Sequence, residues 1–173
     1  YMLGIHSFPI TNQGSSPLHT GLIEFNGKFY GMTFKGGASE AGVIFEWDPI
    51  DKVYNKKVDF EGTNGKYPYG GLTLSNGKFY GTTMYGGVND AGVLFEWDPS
   101  TNIYTKKFDF TATDGDEPMG DLIQEGGKFY GNTQRGGINN AGVIFEWDPS
   151  TNIYTKKFDF AGTNGRAPVG SMT

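Results

Sequence analysis

The chain has 173 residues with 28 Gly, 8 Pro, no Cys, 16% aromatics and a formal charge of −5, which suits roughly one turn-rich, packed domain. Without cysteine it has no disulfide, no thiolate metal site and no cysteine nucleophile, and its acidic balance argues against a nucleic-acid partner, which needs a basic face. No apolar stretch approaches the ~18 residues of a membrane helix, so membrane insertion is not expected, and no basic-then-apolar targeting segment stands at Tyr1.

Read in chain order, the sequence is a tandem repeat. Residues 1–20 hold the end of a preceding unit and a connection. Residues 21–70, 71–120 and 121–170 then align without a gap at a period of 50, and residues 171–173 begin another unit. The second and third units agree at 33 of 50 positions. Each carries GKFYG, a Gly-Gly pair (Gly36-Gly37, Gly86-Gly87, Gly136-Gly137), AGV, and FEWDP with Trp47, Trp97 or Trp147. TNIYTKKFDF occupies 101–110 and 151–160, with the variant DKVYNKKVDF at 51–60.

One unit is expected to form four short strands. In the second, a strand at 71–75 closes through Asn76-Gly77, a hairpin dipeptide that tolerates positive φ at both positions. A second strand follows at 78–84, and Gly86-Gly87 opens the next turn. The third, at 92–97, is rich in β-branched and aromatic residues and stops at Asp98-Pro99, because proline has no N–H for a ladder. The fourth, at 102–110, is expected to set Tyr104, Phe108 and Phe110 on one face and Ile103, Thr105, Lys107 and Asp109 on the other. No window has the 3.6-residue spacing of an amphipathic helix.

The fold class is therefore all-β: a β-propeller-like array of four-stranded blades, about three and a half of them, with an open β-solenoid-like stack as the alternative. A lone sheet of this size cannot cover both its faces, so neighbouring units must do so. Trp47, Trp97 and Trp147, with Tyr54, Tyr104 and Tyr154, are the expected structural aromatics, each large side chain contributing about 1.5–3 kcal/mol when buried.

GKFYGTT, GG and AGVLFEWDPSTNIYTKKFDF resemble a kelch repeat, with the order of tryptophan and tyrosine about the D-P-x-T turn exchanged. They are more similar to the bacterial tandem repeat called GloVer: GKFYG-T, GG, AG-hydrophobic-F, D-P, then DF-G-T-DG-P-G. The resemblance spans 21–170 and implies propeller-like repeats in a secreted or surface-attached bacterial protein. It brings no established catalytic residues and no cofactor.

Candidate chemistry is sparse. His6 and His19 precede the repeated body and read as loop or edge residues. Glu46, Glu96 and Glu146, with Asp48, Asp98 and Asp148, offer paired carboxylates, but a glycosidase needs one pair facing one bond, whereas a pair in every unit points to architecture. Asp98 is expected to accept backbone hydrogen bonds in its turn, Asp59, Asp109 and Asp159 to be structural likewise, and Lys106-Lys107 to be a solvated strand face. Asp114, Asp116, Glu117 and Asp121 form a weak calcium candidate, since the other units hold Asn64, Lys66, Tyr67 and Gly71, or Asn164, Arg166, Ala167 and Ser171.

Between copies the framework is nearly invariant, while 34–35, 84–85 and 134–135, the turns at 38–40, 88–90 and 138–140, and the connections at 66–69, 116–119 and 166–169 differ. In a propeller these would share one face. Variable loops on a rigid scaffold suit recognition, so Lys35, Tyr85, Asn89, Arg135 and Asn139 are the candidate ligand-binding residues. The expectation is a non-catalytic, extracellular or cell-surface structural and adhesive repeat that self-associates end to end or joins a larger array. The alternative is a module binding a glycan or a surface protein.

Overall fold

The protein is described here from a computed structural model, over residues 13–17 and 21–171. In the first unit β1 (Ile23–Phe25), β2 (Lys28–Thr33), β3 (Val43–Asp48) and β4 (Val53–Asp59) form an antiparallel sheet in that order. β5 (Thr73–Ser75), β6 (Lys78–Thr83), β7 (Val93–Asp98) and β8 (Ile103–Asp109) repeat it. So do β10 (Ile123–Glu125), β11 (Lys128–Arg135), β12 (Val143–Asp148) and β13 (Ile153–Asp159), with β9 (Asp116–Pro118) added against β11. The sheets are blades, as the period requires. Their first hairpins turn at Asn26-Gly27, Asn76-Gly77 and Gly126-Gly127, each with positive φ at both residues.

The expected first strand at 71–75 is shorter than read, because Gly71 donates its N–H to Asp121 of the next blade instead of to a ladder. The fourth strand departs more. Phe95 opposes Lys106 but Leu94 opposes Phe108, so a β-bulge lies at Lys107. It breaks the period-2 alternation and sends Tyr104 and Phe108 to opposite faces, contrary to the expected pattern. The same bulge occurs in β4 and β13.

This switch lets each blade present aromatics on both sides. The front face of the second blade carries Phe79, Phe95, Trp97 and Tyr104; its back face carries Tyr80, Leu94 and Phe108. Fronts pack on backs. Tyr30 and Phe60 of the first blade meet Phe79, Trp97, Phe95 and Tyr104 of the second. Tyr80 and Phe110 meet Phe129, Trp147, Phe145 and Tyr154 of the third. Trp97 and Trp147 are fully buried in these seams, whereas Trp47, in the front of the first blade, is half-buried.

The inner edges converge on glycines. A Cβ on Gly70 would stand 2.5 Å from the Gly120 carbonyl oxygen, and one on Gly120 2.5 Å from that of Gly170. Thr73 Oγ1 donates to the Leu122 carbonyl across the same line (2.7 Å).

Candidate functional site

The repeated carboxylates are all engaged. Glu46 accepts from Lys28 Nζ (3.0 Å), the Tyr30 hydroxyl (3.0 Å) and Asn55 Nδ2 (3.1 Å), with Lys57 Nζ at 3.2 Å. Burial alone would raise its pKa, but these four donors hold it down at about 2. Glu96 and Glu146 repeat the arrangement with Lys78, Tyr80 and Lys107, and with Lys128, Tyr130 and Lys157.

Asp98 Oδ1 accepts the Ser100 N–H (2.8 Å) and hydroxyl (2.6 Å), the turn role expected of it; Asp48 and Asp148 match. Asp59, Asp109 and Asp159 each accept one N–H from the turn after Gly-Gly and pair with Lys56, Lys106 or Lys156. Lys106-Lys107 is thus not a solvated face. The bulge sends Lys106 to Asp109 and Lys107 to Glu96, one on each side.

Gly-Gly is the element on which the loop end is built. A side chain at Gly37 would collide with Asp59, and one at Gly86 with the Gly62 carbonyl and the Gly65 backbone of the preceding connection. The Gly87 N–H donates to the Gly62 carbonyl (2.8 Å), and Gly137 does the same to Ala112 (2.9 Å). Connection and second turn therefore lie together at one end of the blades. Lys66 pairs with Tyr85 through both backbone groups (2.8 and 3.1 Å), and the Tyr67 N–H donates to Ala41 of the first blade (2.8 Å).

The positions that vary between copies meet there. Phe34 stacks on Tyr67 (5.1 Å between centroids) and takes Tyr69 edge-on (6.2 Å); Tyr67 stands edge-on to Tyr85 (6.3 Å). Lys66 Nζ lies 6.0 and 5.8 Å from the Tyr67 and Tyr85 ring centres and pairs with Asp90 (2.9 Å). The Tyr85 hydroxyl donates to Glu117 Oε1 (2.9 Å), and Arg135 Nη1 stands 3.5 Å from the same oxygen. A strip from Phe34 through Tyr67, Tyr85 and Glu117 to Arg135 thus crosses all three blades. It offers part-exposed aromatic faces beside cations.

The structure joins Tyr85 and Arg135 through Glu117, which is only 5% exposed. Lys35 stands apart, exposed, its backbone paired with Ser15. Asn89 and Asn139 are exposed residues whose side-chain amides donate to the Phe110 (3.0 Å) and Phe160 (3.1 Å) carbonyls. They are braces of the turn. Sequence reasoning missed Phe34, Lys66, Tyr67 and Tyr69, although each sits at a position that differs between copies.

The four acidic residues of the calcium candidate go separate ways. Asp114 accepts from Thr111 (2.6 Å), Glu117 from Tyr85, and Asp121 from the Gly71 N–H, while Asp116 is raised in pKa, first by burial and then by Glu117. Among the described residues no three His, Cys, Asp or Glu side chains are placed to hold a metal ion. His6 and His19 lie outside the described residues.

Comparison with known proteins sets this arrangement among β-propellers. A chain of a nidogen/laminin complex is similar over 84% of this chain and 47% of its own, with 12% identity and a TM-score of 0.55. TolB from Acinetobacter baumannii is similar over 79% of this chain and 30% of its own, with 18% identity and a TM-score of 0.52. The chain spans less than half of either, and at these identities the likeness is one of fold. No curated protein matches the sequence. The repeated GKFYG, Gly-Gly and D-P elements do match one family profile, across residues 1–173, so the chain belongs to the Gloeobacter/Verrucomicrobia repeat family.

Proposed function

We propose that this chain is a non-catalytic structural and adhesive repeat of the cell surface or extracellular space, which adds end to end into larger arrays. One observation carries the reading. The back of the third blade is apolar at the same positions as the backs that are covered inside the molecule, yet Phe158 is 42% exposed and Tyr130, Ile144 and Phe160 are half-buried. In the first two blades Tyr30, Ile44, Phe60, Tyr80, Leu94 and Phe110 are buried, and Val58 and Phe108, the counterparts of Phe158, are half-buried. An apolar sheet face of this kind takes a further blade, whether of the same array or of another copy. The resemblance to surface-attached bacterial repeats is what supports the extracellular placement. The non-catalytic reading is supported by the repeated carboxylates, each held in an ion pair or a turn.

Electron microscopy and sedimentation at rising concentration test it. End-to-end contacts that disappear in Phe158→Asp support the reading, and a monodisperse monomer at high concentration overturns it.

A second reading, a glycan- or protein-binding module, is favoured by the strip from Phe34 to Arg135. Glycan-array binding that is lost in Tyr67→Ala would establish it, and an array without hits would remove the glycan form.

A further inference from the structure

Resting on the second of these readings, we infer that the strip from Phe34 to Arg135 takes a neutral pyranose chain laid across the blades, with the Tyr67 ring as its central contact, and rejects acidic polysaccharides. Tyr67 has a φ of 56°, left-handed backbone that strains a bulky residue. Its copies Glu117 and Ala167 have φ values of 57° and 50°. Two blades impose this conformation. The Tyr67 N–H donates to the Ala41 carbonyl of the first blade (2.8 Å), and its own carbonyl accepts the Met84 N–H of the second (3.1 Å). Pro68 closes the clamp, for a Cβ on Gly42 would stand 2.8 Å from its Cδ. Glu117 and Ala167 donate likewise to Ala91 (3.3 Å) and Ala141 (2.8 Å), with Pro118 and Pro168 against Gly92 and Gly142.

The backbone is thus held alike in all three copies while the side chain changes from Tyr to Glu to Ala. The clamp needs no particular residue here, and a tyrosine is costly in this conformation. A ring fixed between two blades is also ordered before any ligand arrives, which lowers the cost of binding. The neighbours favour a sugar. Phe34, Tyr67, Tyr69 and Tyr85 are half-buried and leave part of each ring at the surface, suited to the apolar C–H face of a pyranose. Beside the rings the polar groups come as donor and acceptor together: Lys66 with Asp90 (2.9 Å) and Arg135 with Glu117 (3.5 Å). A sugar hydroxyl both donates and accepts, so it can meet either member of a pair.

Charge decides between neutral and acidic chains. Lys66 and Arg135 are already engaged by carboxylates. Asp116 pairs in register with Arg135, yet its pKa is raised, first by burial and then by Glu117. Negative charge is therefore disfavoured at this point of the strip. A carboxylate on a bound sugar would add to it, or would have to strip Glu117 or Asp90 of its cation.

Calorimetric titration with neutral hexasaccharides of glucose, mannose and galactose, and with hexagalacturonate, tests this at low ionic strength, where charge is least screened. A neutral sugar should bind, with hexagalacturonate at least about tenfold weaker, and Asp116→Asn should narrow that gap. Tyr67→Ala should weaken the neutral sugar by about tenfold or more, the loss expected when a central aromatic contact is cut. Tyr67→Phe keeps the ring and should stay within about threefold of the parent. Ala167 sits in the same clamp, so alanine at this position is compatible with the fold. Hexagalacturonate binding as tightly as the neutral sugars, or neutral binding unchanged in Tyr67→Ala, overturns the inference and leaves the glycan reading standing. Failure of all the neutral sugars to bind overturns it too, and if the glycan array is also without hits, the glycan reading falls with it.

Discussion

Phe108 and Tyr154 lie ring on ring across the seam between the second and third blades, 4.0 Å apart at their centres and 3° from parallel. Phe110 meets the same tyrosine edge-on at 5.7 Å. The contact depends on the bulge at Lys107, which turns Phe108 out of the Tyr104 face and towards the next blade. One inserted residue per repeat therefore converts a one-sided strand into a two-sided joint.

Buried in this seam and 0% exposed, Phe110 should cost about 3–5 kcal/mol when cut to alanine. Phe160 is its copy in the third blade, where it is only half-buried. Phe160→Ala in the monomer should lose less than half as much. Urea denaturation of the two variants at low concentration checks the contrast, and equal losses would contradict seam packing as the source of stability.

The hairpins were legible because Asn-Gly and Gly-Gly turns fix backbone geometry locally, and blade stacking was legible because Trp97 and Tyr104 recur in every copy. The bulge was hidden. Lys106 and Lys107 are both polar, so a slip between them leaves the apolar pattern readable as plain alternation until Phe108. The strip from Phe34 to Arg135 was half visible: variation pointed to Tyr85 and Arg135, but their bridge, Glu117, comes from the next connection and had been grouped with its acidic neighbours. Contacts that join position 85 to 117 to 135 are set by how one blade sits on another, which a single repeat does not encode.

Gly120 approaches the Gly170 carbonyl so closely that an added Cβ would stand 2.5 Å from backbone oxygen. Backbone cannot step aside as a flexible side chain can, so Gly120→Ala should destabilise by about 1–3 kcal/mol through overpacking. Gly21→Ala, where a Cβ meets nothing within 4 Å, should be neutral within about 0.5 kcal/mol. Thermal unfolding of the pair checks it.

Tyr85 and Arg135 share one buried acceptor, Glu117 Oε1. Tyr85→Phe removes a hydrogen bond to a charged group and should lose about 1.5–3 kcal/mol. Arg135→Ala removes a cation whose side chain is mostly in solvent, and should lose less. Because each variant leaves Glu117 dependent on the other partner, the double variant should lose more than the sum. A double-mutant cycle measures the excess, and strict additivity would show that Glu117 does not couple the second and third blades.

Glu46 gives the molecule an acid limit of calculable sign. Burial works to raise its pKa, but Lys28, Asn55, Tyr30 and Lys57 together bring it to about 2, below the ordinary 4.5. A carboxylate depressed in the folded state binds fewer protons folded than unfolded, so its stabilisation is complete above the unfolded value. It is then lost as pH falls from 4.5 towards 2. Glu146 is lowered to about 2 as well, chiefly by its bonds from Lys128 and Lys157, and Glu96 is lowered in the same setting. Glu46→Gln keeps an acceptor for Tyr30 but carries no charge for Lys28 and Lys57. The variant should be less stable than the parent at neutral pH and should lose less on acidification, so the two stability curves converge as pH falls towards 2. Denaturant midpoints across that range measure the gap. A constant gap would mean that the folded and unfolded states bind protons at Glu46 equally, and that the cations around it do not hold it ionised.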